Sequence, residues 1–213
     1  NTQYFGTPPD ADNDPRIIIL ILDTQDGYSS TGPYFAGYFH SLNQYSEAAA
    51  QQVGSNRHSN YAEIYYVDGD PGNLTSVMGR YFAELTLAHE FQHMIHWNYD
   101  PWELTFVDEG MSEAASALCG YGLESPEQYF ANSNVPFLSW ASKPDVLPDY
   151  SLAALFSWYL IEQSGAGIAR KIVQSTLTGR EGYNEALANV GSSRTFDDVL
   201  KSFAVATLLN DRS

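Results

Sequence analysis

Residues 87–95 read LAHEFQHMI, and this stretch contains the pattern His-Glu-x-x-His from His89 to His93. It lies in a helix-like segment that starts near residue 75 or 79 and continues to Trp97, with apolar residues on nearly all sides. A helix of that kind is usually central and buried. Because residues four apart lie on one face of a helix, the side chains of His89 and His93 can reach one metal ion.

Glu90 stands next to the first of these histidines and flanks the same cavity. From there it can take a proton from a metal-activated water instead of binding the metal. The pattern therefore predicts metal-assisted hydrolysis with Glu90 as the general base. The bare motif also occurs by chance, so this interpretation depends on finding a third metal ligand.

A catalytic zinc ion needs a third protein ligand and one open position. His96 cannot be that ligand, because seven residues rise about 10 Å along a helix, whereas two zinc ligands are at most about 4 Å apart. The longer pattern in which Gly and a third His follow the motif is also absent, since His96 and Tyr99 occupy those positions.

A better third ligand lies in residues 106–115, which read FVDEGMSEAA. Glu109 and Glu113 are four apart on a helix predicted over about residues 108–119, so both carboxylates project from one face. We expect Glu109 to complete the metal site and Glu113 to accept the N–H of a liganding histidine, which orients the ring. Two neutral histidines and one carboxylate leave net positive charge on zinc, which lowers the pKa of bound water.

The motif at residues 89–93, followed by DEGMSE at residues 108–113, resembles the thermolysin-like superfamily. The chain is similar more closely to the hyicolysin family of bacterial neutral metalloproteases. This resemblance covers about residues 10–165, and its supporting segments are residues 10–14, 22–28, 37–39 and 59–67. The connection between the two motifs has 15 residues between His93 and Glu109. It is shorter than in thermolysin and does not transfer from it.

The resemblance implies a zincin-like architecture of two lobes and a set of residue roles. It implies zinc as the cofactor, bound by His89, His93 and Glu109. It also implies that Glu90 is the general base and that Glu113 supports a ligand.

Peptide hydrolysis also requires a donor that stabilises the oxyanion formed at the attacked carbonyl. The superfamily usually supplies a Tyr or His after the third ligand, and no histidine follows His96 in this chain. Tyr150 is the predicted donor, because it opens residues 150–159, YSLAALFSWY, which resemble the tyrosine-led helix of such peptidases. A purely structural role in the core or on the surface stays open for this tyrosine.

Asp10, Asp12 and Asp14 alternate as in the first half of a calcium-binding loop. A complete EF-hand loop has Gly at its sixth position and Glu at its twelfth. Pro15 and Ile21 stand there instead, so the segment is not an EF-hand. A solvated acidic loop and a calcium site of another kind are the two alternatives.

Strand-like segments come first and helical segments follow, which predicts an α+β fold. We expect a lobe with a mixed sheet over about residues 1–100 and a mostly helical lobe over about 101–213, together forming one metalloprotease catalytic domain. Residues 16–22 should be a strand buried on both faces, and Pro33 should start a short helix to about residue 38. Residues 61–67 are expected to be an edge strand that pairs with extended substrate.

The formal net charge is −16, from 10 Lys+Arg and 26 Asp+Glu. Such a surface repels nucleic acid and anionic membranes. No apolar run approaches the roughly 18 residues needed to span a bilayer, so membrane insertion is not expected. The sequence opens with Asn-Thr-Gln and has no signal-like segment, and we expect a secreted protein whose export signal is not part of it.

These observations predict a zinc endopeptidase that acts on protein or peptide substrates. A zinc aminopeptidase is the first alternative, although no recognisable motif supplies an acid to hold a free amine. A non-catalytic adhesion or binding module with a structural metal is less favoured, because such a site has four protein ligands and does not need Glu90. A metal-free relative is disfavoured, because all three ligands and the base are present.

Overall fold

A computed structural model describes residues 1–28, 34–140 and 145–209 of the chain. This part of the chain has the predicted α+β fold, with a small sheet and a larger set of helices. The strands are β1 (Ile18–Leu22), β2 (Gly37–Phe39) and β3 (Ile64–Asp68). The helices are α1 (Glu47–Val53), α2 (Val77–Tyr99), α3 (Thr105–Leu118), α4 (Glu127–Ala131), α5 (Leu147–Ser164), α6 (Gly167–Val173), α7 (Gly179–Asn189) and α8 (Phe196–Leu209). None of the helices in the described ranges is long and apolar enough to cross a membrane.

The sheet is mixed, as predicted, and its strand order is β1-β3-β2. β3 pairs parallel with β1 and antiparallel with β2, so both of its edges are occupied. The expectation that residues 61–67 form an edge strand is therefore wrong. Residues 37 and 38, expected to lie at the end of a short helix, belong to β2 instead, while Pro33 lies outside the described residues. Gly37 suits this position because a Cβ there would lie 2.6 Å from the backbone oxygen of Tyr66.

β1 was expected to be buried on both faces, and this prediction is wrong. Its apolar side chains are between 41% and 53% exposed from Ile18 to Ile21. The strand lies at the edge of the sheet and pairs with β3 on one side. A run of apolar residues indicates a strand, but the run does not by itself supply a layer that covers it.

Helix α2 is central, as its apolar sequence predicts. Ser76 begins it by accepting a hydrogen bond from the backbone N–H of Gly79, which satisfies one of the free donors of the first turn. The helix contacts β2, β3 and α3. Its buried positions include polar side chains as well as apolar ones, among them His89, Glu90 and His96.

The main hydrophobic core lies among the helices of the second half. Helix α3 packs against α5, and aromatic rings from α3, α5, α7 and α8 meet there. These rings include Phe106, Phe156, Tyr183 and Phe196. This packing fixes α3 on the side away from α2, so that α3 is held between α2 and α5.

Gly110 permits the close approach of α3 to α5. A Cβ at this position would lie 2.5 Å from Ser157 Oγ and 3.1 Å from the backbone oxygen of Ala153. We expect Gly110→Ala to lower the free energy of unfolding by about 1–3 kcal/mol, as overpacking does. Gly167→Ala is the matched control, because a Cβ there meets nothing within 4 Å. Urea unfolding of both variants tests the prediction, and equal stability of the two would contradict it.

Candidate metal centre

A cleft of about 400 Å³ opens between β2 and the helices α2, α3 and α5. Helix α2 contributes four side chains to its wall, His89, Glu90, His93 and Trp97. Glu109 from α3 and Tyr150 from α5 line the same cleft. Residues predicted from three separate segments of sequence therefore meet in one cavity.

Three ligand atoms form a compact triangle in this cleft. Nε2 of His89 and Nε2 of His93 are 3.0 Å apart, and each lies 3.3 Å from Oε2 of Glu109. Atoms with these separations lie on a circle of radius about 1.9 Å, so an ion can sit about 2.0–2.1 Å from all three, at zinc–ligand distances.

The burial and the missing hydrogen bond of Glu109 Oε2 also suit a metal ligand. It is a buried atom without a hydrogen bond of normal geometry among the residues described. An oxygen in that state costs free energy unless it is compensated, and a cation shared with the two rings compensates it.

Glu113 lies behind His89, where the spacing on α3 predicts it. Its Oε1 is 3.3 Å from Nδ1 of His89, on the opposite side of the ring from the triangle. Glu113 is only 3% exposed. A buried carboxylate in this position orients the ring so that Nε2 faces the site.

Asp108 has the corresponding position behind His93, and the sequence analysis missed it. Its Oδ1 lies 3.0 Å from Nδ1 of His93 and 3.0 Å from Nδ1 of His96. His96 is 1% exposed and points to this carboxylate, so it is a buried partner of Asp108 and not a member of the triangle. The sequence does contain a signal for this role: two histidines that bind one metal each need an acid at Nδ1, so the acid predicted for His89 implies a second acid for His93.

The acidic surroundings favour positive charge at the two rings. Burial acts to lower the pKa of His89, but Glu109 and Glu113 more than offset it, and this pKa rises to about 10. Burial acts to raise the pKa of Glu109, whereas His93 and His89 lower it to about 2. A divalent cation can supply the same positive charge once the rings have lost their protons.

Glu90 lies beside the triangle without belonging to it. The side chain is 7% exposed, and its Oε2 accepts a hydrogen bond of 2.8 Å from the backbone N–H of Phe39. Burial raises the pKa of Glu90 above its ordinary value. The end of β2 thus holds this carboxylate at the wall of the cleft.

Tyr150 lies in the first turns of α5 and reaches the same centre. Its hydroxyl donates a hydrogen bond of 3.3 Å to Oε1 of Glu109. The centre of its ring lies 6.5 Å from that of His89. Burial, followed by the charge of Glu109, raises the pKa of Tyr150, so the hydroxyl keeps its proton.

The three aspartates near the N-terminus are not part of this cleft. Asp14 pairs with Arg16. Asp10 and Asp12 instead lie with Glu63, with one oxygen of each within 4.8 Å of the others. Of the three aspartates considered in the sequence as possible calcium ligands, Asp10 and Asp12 belong to this group together with Glu63, and Asp14 does not.

Comparison with known proteins shows that the chain is similar to a neutral metalloprotease. The chain is 30% identical to the neutral metalloprotease ShpI of Staphylococcus hyicus over an alignment of 226 residues, which covers 96% of this chain and 49% of the relative. The chain thus spans about half the length of that curated relative. No protein-family model matches the chain. The similarity supports a relationship to the neutral metalloproteases.

We expect Asp108→Asn to weaken zinc binding roughly 10- to 100-fold, as loss of a carboxylate behind a liganding histidine does. The amide keeps the size of the side chain but lacks the charge that orients and polarises His93. Competition with a chromophoric chelator measures the affinity. Asp197→Asn, an acid-to-amide change at a partly exposed residue of α8 that pairs with Arg180 outside the cleft, is the control and should bind zinc as the parent does. Equal affinity of the two variants would show that Asp108 does not support the site.

Proposed function

We propose that this chain is a zinc endopeptidase catalytic domain of the hyicolysin type that hydrolyses peptide bonds of protein substrates. The observation that carries the proposal is the triangle of His89, His93 and Glu109 atoms, with the carboxylate of Glu90 beside it in an open cleft. Three protein ligands leave a further position on the ion for water or substrate, which distinguishes catalytic from structural zinc sites. The similarity to a neutral metalloprotease supports the same reading.

Zinc suits this donor set because imidazole nitrogens and a carboxylate are among its usual ligands. With two neutral rings and one carboxylate the site keeps net positive charge. Zinc held there lowers the pKa of water towards neutrality and polarises a carbonyl oxygen. The chain itself supplies the proton transfer and the positioning of substrate.

Glu90 is the proposed general base and, in the second half of the reaction, the general acid. Its raised pKa brings the carboxylate nearer to neutral pH, where proton transfer in both directions is efficient. The N–H of Phe39 fixes one oxygen of the carboxylate. The other oxygen remains to take a proton from water and pass it to the departing amine.

Tyr150 is the proposed donor to the oxyanion. It is close to Glu109, and its raised pKa keeps the phenol protonated. A protonated hydroxyl can exchange its bond to Glu109 for one to the attacked carbonyl oxygen, where negative charge develops.

Substrate binding is assigned to β2 instead of the strand favoured by the sequence. Gly37, Tyr38 and Phe39 line the cleft, whereas β3 has both edges paired. An extended peptide can lie along β2 and use its backbone groups. This arrangement suits an endopeptidase, because it recognises backbone on both sides of the cleaved bond.

The aminopeptidase alternative requires a free acid in the cleft to hold the substrate's amine. Two further acids line the cleft, and one oxygen of each is used within the fold, while Oδ2 of Asp100 is buried without a hydrogen-bond partner among the described residues. Asp100 accepts a hydrogen bond from the backbone N–H of Trp102, and Glu103 accepts hydrogen bonds from those of Leu104 and Gly179.

Secretion, expected from the sequence, agrees with a protease that meets protein substrates outside the cell.

We expect Glu90→Gln to keep one zinc ion and normal stability while losing casein hydrolysis by about 10²-fold or more, the scale of a lost general base. Glutamine can still accept the N–H of Phe39 but cannot carry a proton. Glu84→Gln, an exposed change on the same helix, is the control and should retain full activity. Near-normal hydrolysis by zinc-loaded Glu90→Gln would refute the mechanism. Cleavage of an N-terminally blocked peptide by the parent separates endopeptidase from aminopeptidase.

Tyr150→Phe is expected to bind zinc and fold normally while turnover falls about 10²-fold, the low end for one lost oxyanion donor. The loss should appear in kcat more than in KM, because the hydroxyl acts as charge develops on the carbonyl. Tyr159→Phe, on the same helix but outside the cleft, should behave as the parent. Unchanged kcat in Tyr150→Phe would remove this tyrosine from the reaction.

A further inference from the structure

A second group of possible metal ligands lies away from the cleft. Asp10 and Asp12 belong to the segment that precedes β1, and Glu63 immediately precedes β3. One carboxylate oxygen of each residue lies within 4.8 Å of the others. None of the three residues lines the cleft that holds the histidines.

Glu63 sets this group apart from an ordinary acidic surface. The residue is 1% exposed, so its carboxylate is almost completely removed from water. Its Oε1 accepts a hydrogen bond of 2.7 Å from the backbone N–H of Ala11. Its Oε2 is buried and has no hydrogen-bond partner among the residues that the structure describes. A buried carboxylate oxygen in that condition is unfavourable without compensation.

No cation of the described chain is placed to compensate this oxygen. Arg16 is the nearest basic residue in sequence, and it pairs with Asp14. Burial raises the pKa of Glu63, the hydrogen bond from Ala11 acts to lower it, and the charges of Asp12 and Asp10 raise it further. The carboxylates of Asp10 and Asp12 thus lie close to the buried carboxylate of Glu63. Either a proton or a bound cation would reduce the repulsion between them.

We propose that Asp10, Asp12 and Glu63 bind a calcium ion. All three donors are carboxylate oxygens, the ligands that Ca²⁺ takes in sets of six to eight at about 2.3–2.6 Å. Oxygens bound to one Ca²⁺ can therefore be up to about 5 Å apart, which the observed spacing satisfies. Mg²⁺ requires a tighter octahedral shell. Zinc is better served by the histidine-containing triangle, so the two sites differ in donor chemistry.

The ion would join two parts of the chain that are distant in sequence. Glu63 already links them through Ala11, and its backbone oxygen accepts a hydrogen bond of 2.8 Å from the N–H of Ile18 at the start of β1. Calcium bound to the same carboxylate would hold the N-terminal segment against the sheet. Its effect is therefore expected in thermal stability.

The test uses zinc-loaded protein from which calcium has been removed while zinc is kept in slight excess, without a chelator. Calcium is added alone, and binding is followed by calorimetric titration and by Tm. We expect one site with a Kd of about 10⁻⁴ M or tighter, the range of extracellular modules and stronger sites. At a hundredfold excess over Kd, Tm should rise by roughly 5–10 °C for a chain of this length.

Glu63→Gln separates calcium binding from ordinary packing. The amide fills the same space without charge, so its Tm in calcium-free buffer should equal or exceed that of the parent. Added calcium should bind at least about ten times more weakly, with little or no rise in Tm. If this variant fails to fold, Asp12→Asn makes the same test, because it keeps the oxygen that accepts from the N–H of Asp14. Asp14→Asn is the matched control and should respond to calcium as the parent does.

The proposal is overturned if the parent shows neither a binding isotherm nor a rise in Tm, or if Glu63→Gln responds as the parent does. It is also overturned if magnesium raises Tm as much as calcium at equal concentration. The proposed peptidase activity is judged separately, by casein hydrolysis with zinc-loaded protein in calcium-free buffer. Failure of one proposal therefore leaves the other standing.

Discussion

The contact between α2 and α3 determines the arrangement of the whole centre, because ionisable side chains of the two helices face each other there away from water. Glu113 and His89 are almost fully buried, and a buried charge without a partner costs several kcal/mol. Each acid on this face of α3 therefore needs a histidine ring of α2 directly opposite it as a partner. Ser112, which donates a hydrogen bond to Gln92, extends this matching between the helices. A shift of α3 by one turn would separate every one of these pairs.

This contact also determines where the remaining parts of the cleft lie. Helix α3 has its acids towards α2, and its other side packs on α5, where Gly110 allows close approach. Because α5 packs against α3, the first turns of α5 bring Tyr150 to Glu109. On the opposite side, β2 ends at Phe39, whose backbone N–H donates a hydrogen bond to Glu90. The elements of the cleft are therefore positioned in relation to α2: α3 and β2 contact it directly, and α5 is placed through its contact with α3.

The sequence predicts most of the candidate site because its key relations are local on helices. His89 with His93, and Glu109 with Glu113, are each four residues apart, and helical geometry alone puts each pair on one face. The sheet is less predictable, because strand order and exposure depend on distant segments. Residues 37–39 become a strand through contact with β3, and no local pattern announces that contact. Asp108 does not stand out in the sequence, because an acid in the first turn of a helix has a sufficient local explanation in the macrodipole.

Two buried glutamates show how neighbours give one side chain different chemistry. Glu90 and Glu63 each accept one backbone N–H, and burial raises the pKa of both. The charges of His89 and His93 act to lower the pKa of Glu90, whereas Asp12 and Asp10 act to raise that of Glu63. Glu90 therefore stands between opposing influences and opens to the cleft, a setting that suits a group through which protons pass. At Glu63 burial and the neighbouring charges both oppose the ionised form, with the N–H of Ala11 acting against them, so a cation bound there would favour the ionised carboxylate.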